Sequence, residues 1–511
     1  KVAIIDPSTD PDGWSFARFR QGFENRIHLV PFMRWKFAPA PLGLNHALWI
    51  EDEDFNLDYH IRRVALPSPG DHKALCEFMS DVYAYQLDRS RPLWKCWVVE
   101  GLEGGKVAAV TMLHHAYVDG VGASYGLEQL YQKTPGVNPE HVPPWNPRPT
   151  PSWLKQLWLA IRDWPEVVLK NVPKVVIGLR QKKALEESYA REGKPPHPSA
   201  GMMQQTPINA VLSYGRTFVC DSMPIADFKG ISKGLDCTIN DVFLCCAAGA
   251  IRKLFLEGSY NPDRSPLIAA TPFAGERPQG MEGLGNFVTL DYCWLHTEIA
   301  DPLERLHASH KAAAEMKEHL KKSVAMNADF SAIMKIMPPW AVKIFSWWLR
   351  EKKKGSLSLF GNVALSNVPG PREPLYWDKY RLDNWYSTGQ VIDGTCLNMT
   401  MWSYCHNVNL CILADKKVLP DGWKLFGYFK EELAALVGDD VNSANMHGIW
   451  AQRSGIGLRF VAREGGFAPG TNQQFAQIGL PAFNNRGRTA FGARLVGGGT
   501  GQQRGQALHG F

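Results

Sequence analysis

At 511 residues the chain is long enough for two domains with substantial cores. Its 45% hydrophobic and 21% charged residues are an ordinary globular balance, which excludes a disordered or fibrous chain. The formal charge of +6 lies entirely after residue 450, where there are seven Arg and a single Glu; residues 1–450 are close to neutral, and the charge gives no argument for a nucleic-acid partner.

No run of about 18 uncharged apolar residues is present, so no membrane span is expected. The 10 cysteines form no C-x-x-C pair and no signal-peptide pattern opens the chain, which points to a reducing cytoplasm without disulfides. The 18 tryptophans suit large apolar pockets or contact with a membrane interface.

In chain order, Lys1 to Ile5 reads as a strand ended by Asp6-Pro7, and Phe16 to Ile27 as a helix. His46 and His60 read as surface or support. Asp71 to Tyr85 reads as a helix. Trp94 to Glu100 and Val107 to Leu113 read as a hairpin turned at Gly101 to Gly105. His141 to Pro151 is Pro-rich. Ser152 to Lys194 has helical content interrupted by Pro165 and Pro173; from Trp153 to Leu185 it carries seven basic against two acidic residues and three tryptophans. It reads either as an amphipathic surface for anionic lipid or as a packed linker with a solvated basic face. Gly193 to Gln205 is polar and Pro-rich.

Ala210 to Cys220 reads as a strand and Pro224 to Gly234 as a helix. Thr238 is placed as the N-cap of a long apolar helix, with Asp241 three residues on, where an acidic side chain favours the helix start. Leu267 to Thr271 and Gly285 to Leu290 read as strands, and Asp301 to Lys322 as a helix. Ala332 to Lys354 is apolar with Trp340, Trp347 and Trp348 and a basic end, which fits either a lipid-facing element or a core helix with a solvated end. Asn362 to Ser366 reads as a strand, Leu397 to Tyr404 and Val408 to Ala414 as a hairpin, and Asp421 to Val437 as the last helix. The sequence after Ala451 holds 14 of the 46 glycines and little periodicity, and residues 443–511 are expected to be a disordered or non-native tail.

Chemistry is concentrated at His114-His115-Ala116-Tyr117-Val118-Asp119-Gly120. The pattern is strand, His-His, turn, helix, with the turn assigned to Asp119-Gly120. Polar side chains at a strand end that opens onto a loop are where α/β folds place chemistry. A neutral imidazole can take a proton from an alcohol. A carboxylate four residues on can fix the loop, and Gly120 leaves room for a substrate. Three other readings stand beside this one. The first takes the pair as structural; the second takes it as a metal site, although no other His/Cys cluster has ligand spacing; the third takes Gly120, Gly122 and Gly126 as a dinucleotide-binding turn, although their spacing departs from that fingerprint.

The HHxxxDG pattern resembles that of the bacterial wax ester synthase/acyl-CoA:diacylglycerol acyltransferases, in the superfamily of CoA-dependent acyltransferases. Leu87-Asp88-Arg89-Ser90-Arg91-Pro92-Leu93-Trp94, Asn240-Asp241, Gly285 to Leu290 and Asn367-Val368-Pro369-Gly370-Pro371 resemble further family motifs in the family's order. The resemblance implies an α/β fold of two chloramphenicol-acetyltransferase-like halves (1–150 and 207–442) joined by a helical linker (151–206), with an active-site tunnel between the halves. It implies transfer of a long acyl chain from acyl-CoA to a fatty alcohol or diacylglycerol. His115 would be the base, with His114, Asp119 and Gly120 shaping the loop and Asn240 supporting the loop or the oxyanion. Asp241 would give structural support, and Asn367, Pro369 and Gly370 would border the acceptor pocket. Acyl-CoA is then a substrate, and no cofactor, metal or nucleic acid is expected. The location would be cytoplasmic, at the inner face of a membrane or on lipid inclusions. The rivals are a carrier-protein-dependent condensation-type acyltransferase and a non-enzymatic lipid-inclusion protein.

Overall fold

The computed structural model describes residues 1–437 other than 138, 140–141, 259, 276–278, 280–284, 326–335, 354–357 and 359, together with the backbone of short strands after residue 447. The chain forms two compact units. The first comprises Lys1–Met223, Pro266–Leu295 and Ala312–Phe426, and the second Pro224–Ser265, His296–Lys311 and Gly427–Phe511.

The first unit carries two six-stranded sheets. One contains β1 (Val2–Asp6), β4 (Ile61–Ala65), β5 (Trp94–Glu100), β6 (Val107–Leu113), β11 (Tyr376–Trp377) and β12 (Tyr380–Tyr386), in the order β11-β12-β1-β6-β5-β4. The other contains β7 (Arg216–Pro224), β8 (Leu267–Ala274), β9 (Val288–Leu295), β10 (Val363–Val368), β13 (Leu397–Tyr404) and β14 (Asn407–Asp415), in the order β7-β14-β13-β10-β8-β9. A small ribbon pairs β2 (Trp35–Ala38) with β3 (Leu48–Glu51). The expected hairpin forms with Trp94 opposite Leu113 and Val99 opposite Ala108. Its turn places Gly101 at φ 79° and Gly104 at φ 72°, backbone that favours glycine.

Two strands of the first sheet, β11 and β12, come from far along the chain. β1 lies between β6 and β12, with Val2 paired to both Val110 and Tyr386. The sequence reading assigns no strand there. Tyr380, Leu382 and Trp385 do face the core, but the inward–outward alternation holds only to Leu382, and the register against β1 shifts between Ile4 and Ile5. The joint is sealed by rings. Phe19 and Phe23 of helix α1 (Phe16–Arg26) meet Trp377 at 4.6 and 4.7 Å, and Phe23 stacks on Trp94 at 5.8 Å.

Further helices of the first unit are α2 (Leu57–His60), α3 (His72–Ala84), α4 (Gly120–Glu128) and α5 (Trp153–Arg191). The prolines expected to interrupt the linker lie inside α5, a single helix of 39 residues. A proline frees the carbonyl four residues back. Here those belong to Ile161 and Leu169, which are both exposed, so water can satisfy them.

In the second unit, α6 (Ile225–Gly234) precedes α7 (Ile239–Glu257), which buries most of its length. Thr238 caps α7 as expected and completes a capping box. Asp241 N–H donates to Thr238 Oγ1 at 3.3 Å, and Thr238 N–H donates to Asp241 Oδ2 at 2.8 Å. The helix α8 (Pro302–Ala325) begins in this unit and continues into the first. The helix α9 (Pro339–Trp348) occupies part of the expected 332–354 helix, of which 332–335 and 354 lie outside the described residues. The helix α10 (Gly422–Val437) ends in the second unit. After it, residues 438–447 lie outside the described residues, and short antiparallel strands pair within 448–509, where the sequence reading assigns no element.

A buried ion pair organises the second unit. Arg305, 1% exposed, pairs with Glu432 and donates to the carbonyls of Cys245 (3.2 Å), Ile299 (2.8 Å) and Ala300 (3.1 Å). Gly249 makes room for it, since a Cβ there would lie 2.6 Å from Arg305 Nη2. Removing one partner leaves a buried charge uncompensated. Glu432→Ala is therefore expected to lower the stability of the full chain by about 3–5 kcal/mol in urea unfolding; an unchanged midpoint would show that the pair is not a structural anchor.

Candidate active site

β6 ends at Leu113 and delivers the two histidines to the edge of the first sheet. His114 N–H donates to Leu93 O at 2.9 Å, extending the ladder by one residue. The loop then turns back, with Tyr117 N–H donating to His114 O at 3.1 Å. Tyr117 is its apolar anchor. The ring is buried and stacks on Trp49 at 4.4 Å; its hydroxyl accepts from Leu93 N–H at 2.6 Å and donates to the Trp35 carbonyl.

Asp119 is completely buried. It caps α4, Oδ1 accepting from Gly122 N–H at 2.9 Å, while Oδ2 accepts from Phe287 N–H at 2.8 Å. The same two segments are stitched by Asp119 N–H to Gly285 O at 3.3 Å and Gly285 N–H to Tyr117 O at 3.0 Å. The carboxylate thus ties the histidine loop to residues 285–287. It also fills the anion position at the start of α4, where a dinucleotide phosphate would need to sit. Gly120 is the first residue of α4 and has no positive φ, so the turn expected at this residue is a helix start. A Cβ at Gly120 would meet nothing within 4 Å, so no neighbour among the described residues requires glycine there.

Asn286 comes with this stitched segment. Its Nδ2 lies 3.0 Å from His115 Nδ1 and donates to the His115 carbonyl at 3.3 Å. Nδ1 is therefore engaged on the loop side, and no hydrogen bond to Nε2 is found among the described residues. Burial lowers the pKa of His115, opposed by the charge of Asp119 and by the backbone of His115 itself. His114 is lowered too, by surrounding protein first and then by Arg89 and His115, although it reaches solvent. Its Nδ1 accepts from Ala116 N–H at 3.1 Å. The two rings turn to different partners instead of converging on one point.

The remaining candidates are placed as follows. Asn367 is the penultimate residue of β10, beside Met401 of β13. Gly370 N–H donates to Ser403 Oγ at 2.9 Å, and a Cβ on Gly370 would lie 2.7 Å from the Trp402 ring. Glycine is thus required there by close packing on β13, and Pro369 beside it is exposed. Asn240 and Asp241 belong to the second unit. Asn240 is the second residue of α7, and Asp241, in the capping box, also accepts from His310 Nδ1 at 2.7 Å. His60 supports the core, its Nδ1 2.8 Å from Trp94 O and its ring stacked on Trp94 at 4.4 Å; burial holds its pKa down to about 4.

Sequence reasoning missed Asn286 as a site residue. Gly285 to Leu290 reads only as a strand and a family block, and Asn286 lies 171 positions from His115. It also missed a clamp in which His197 Nε2 and His319 Nδ1 lie 2.8 and 2.9 Å from the two oxygens of Asp291, with the rings stacked at 3.5 Å and 11°. Parallel rings aim their nitrogens side by side, which suits two hydrogen bonds to one carboxylate better than a shared metal ion.

Two family models match this arrangement of motifs. The wax ester synthase/diacylglycerol acyltransferase catalytic domain covers residues 1–243, and the WS/DGAT C-terminal domain covers residues 284–437. Residues 432–510 match a family of unknown function. A Mycobacterium tuberculosis (strain H37Rv) protein named as a diacylglycerol O-acyltransferase is 44% identical over 442 residues, 85% of this chain and 92% of that one. O-acyltransferase WSD of Acinetobacter baylyi is 31% identical over 417 residues, 79% of this chain and 87% of that one. The solved wax ester synthase/diacylglycerol acyltransferase of Marinobacter aquaeolei VT8, 24% identical, superposes with a TM-score of 0.59 over 85% of this chain and 93% of its own, which bears out the α/β fold. The chain belongs to the wax ester synthase/diacylglycerol acyltransferase family and is an acyltransferase.

Proposed function

We propose that His115 is the general base in transfer of a long acyl chain from acyl-CoA to the hydroxyl of a fatty alcohol or a diacylglycerol. The observation that carries this reading is an imidazole held at Nδ1, with its pKa lowered by burial and Nε2 uncommitted among the described residues. A base at Nε2 needs the proton on Nδ1. We assign that proton to the backbone carbonyl of His115 itself, whose interaction with the ring raises its pKa. As the hydroxyl oxygen bonds to the thioester carbonyl carbon, its proton passes to Nε2. The C–S bond then breaks, and the departing CoA thiolate takes the proton back. No acyl-enzyme is required. A role for Asn240 at the oxyanion rests on the family resemblance alone.

The acceptor alcohols are lipids, and we propose that the protein docks on a lipid surface. No helix among the described residues is long and apolar enough to cross a membrane. On α5, however, Leu154, Trp158, Ile161, Leu169, Val172, Val176 and Leu179 repeat at helical spacing and are all exposed, Leu154 at 71% and Leu169 at 74%. On α9, Trp340, Ile344 and Trp347 form a second exposed row. Such apolar stripes flanked by Lys and Arg are what an interfacial helix presents to anionic lipid.

Two experiments test these readings. The first measures CoA release from palmitoyl-CoA with hexadecanol or dipalmitoylglycerol. His115→Ala is expected to lose on the order of 10²-fold or more while remaining folded; a variant as active as the parent would make His115 structural. The second is co-sedimentation with anionic phosphatidylglycerol vesicles. Replacing Leu154, Trp158 and Ile161 by Ser is expected to release the protein from vesicles without altering its fold, and undiminished binding would remove α5 from the docking surface.

A further inference from the structure

Apart from the loop that bears His115, a second cluster of reactive side chains lies buried in the first unit. His72 opens α3, and Cys76 follows one turn later on the same helical face. Cys220 comes from β7, an edge strand of the second sheet. Cys76 Sγ lies 3.9 Å from Cys220 Sγ, which in turn lies 3.9 Å from His72 Nε2, and the three donor atoms all lie within 4.8 Å of one another. All ten cysteines of the chain are free thiols.

We propose that His72, Cys76 and Cys220 form a structural zinc site that clips α3 to β7. Around a tetrahedral zinc, with Zn–S about 2.3 Å and Zn–N about 2.0 Å, two sulfurs stand ~3.8 Å apart and sulfur and nitrogen ~3.5 Å apart. The sulfurs already have that spacing, and the imidazole needs only a small swing away from the Cys220 carbonyl, which Nε2 now meets at 2.6 Å. Two thiols and an imidazole select a soft divalent ion over magnesium or calcium. The fourth position falls to water or to Cys411. That thiol is fully buried on the adjacent β14, in the same core cluster as Cys76 and Cys220.

The sequence-based expectation of no metal reflects spacing: His72 and Cys76 sit four residues apart on one turn, while Cys220 lies 144 positions beyond Cys76.

The test uses the full chain, purified reduced, exposed to zinc chloride and desalted. Elemental analysis is expected to find stoichiometric zinc, and cobalt(II) in its place is expected to give thiolate-to-cobalt charge-transfer absorption. Both signals should vanish in the Cys76→Ser/Cys220→Ser double variant and persist in His197→Gln, which alters only the Asp291 clamp. Zinc should also raise the melting temperature of the parent and not that of the double variant. A parent that is folded by circular dichroism yet retains no zinc overturns the proposal, whatever the variants do. So does a cobalt spectrum that survives in the double variant, or a Cys76–Cys220 disulfide found by mass spectrometry in the reduced-purified parent.

Discussion

The arrangement around the catalytic candidate depends on one buried carboxylate. Asp119 has no exposed surface, yet each of its oxygens accepts a backbone amide, Gly122 on one side and Phe287 on the other. Burying an ionised carboxylate is costly unless its lone pairs are used. Here they are used to hold two chain segments that lie 168 residues apart. The first bond starts α4 and fixes where the loop ends. The second brings Gly285 and Asn286 alongside, and with Asn286 comes the contact that engages His115 Nδ1. The aspartate of the motif therefore acts through the backbone, as an organiser of the loop that carries the imidazole.

The loop needs a rigid base, and the first sheet supplies it. β6, which bears the histidines, pairs with β1, and β1 is held from its other side by β12, a strand from far along the chain. The rings of Phe19, Phe23, Trp94 and Trp377 close the joint. Beneath the loop, Tyr117 is gripped by Leu93 and Trp35 through its hydroxyl and by Trp49 through its face. The imidazole is thus presented by groups whose own positions are fixed by packing, which is what a proton transfer at one nitrogen demands.

Features that a local pattern dictates were legible in the sequence. The β5–β6 hairpin follows from apolar runs around a Gly-rich turn, the start of α7 from Thr238 and Asp241, and the strand–His-His–helix order from composition alone. The long helix α5 was legible in type, although its prolines read as breaks because the sequence does not show that the carbonyls they free would face outward. What escaped was long-range. β12 breaks its alternation after Leu382, so its membership of the first sheet depends on pairing with β1. Asn286 is an unremarkable residue before a strand until Asp119 draws it to His115. His72, Cys76 and Cys220 have no ligand spacing in sequence because a helix and a distant strand bring them together. Gly370 shows the converse: a motif residue expected at the acceptor pocket has a packing reason of its own against Trp402.

The central claim is that His115 is a neutral base with its proton on Nδ1 and its lone pair on Nε2. The direct measurement is nitrogen-15 NMR of the histidine-labelled chain across pH, with the His115 signals assigned by their loss in His115→Gln. A depressed pKa keeps the base form present below the pH at which an ordinary histidine protonates, and the base is lost only as pH falls through the lowered value. The account predicts the Nδ1-protonated tautomer with a midpoint below the ordinary histidine value. The Nε2-protonated tautomer, or a midpoint at or above that value, would contradict it.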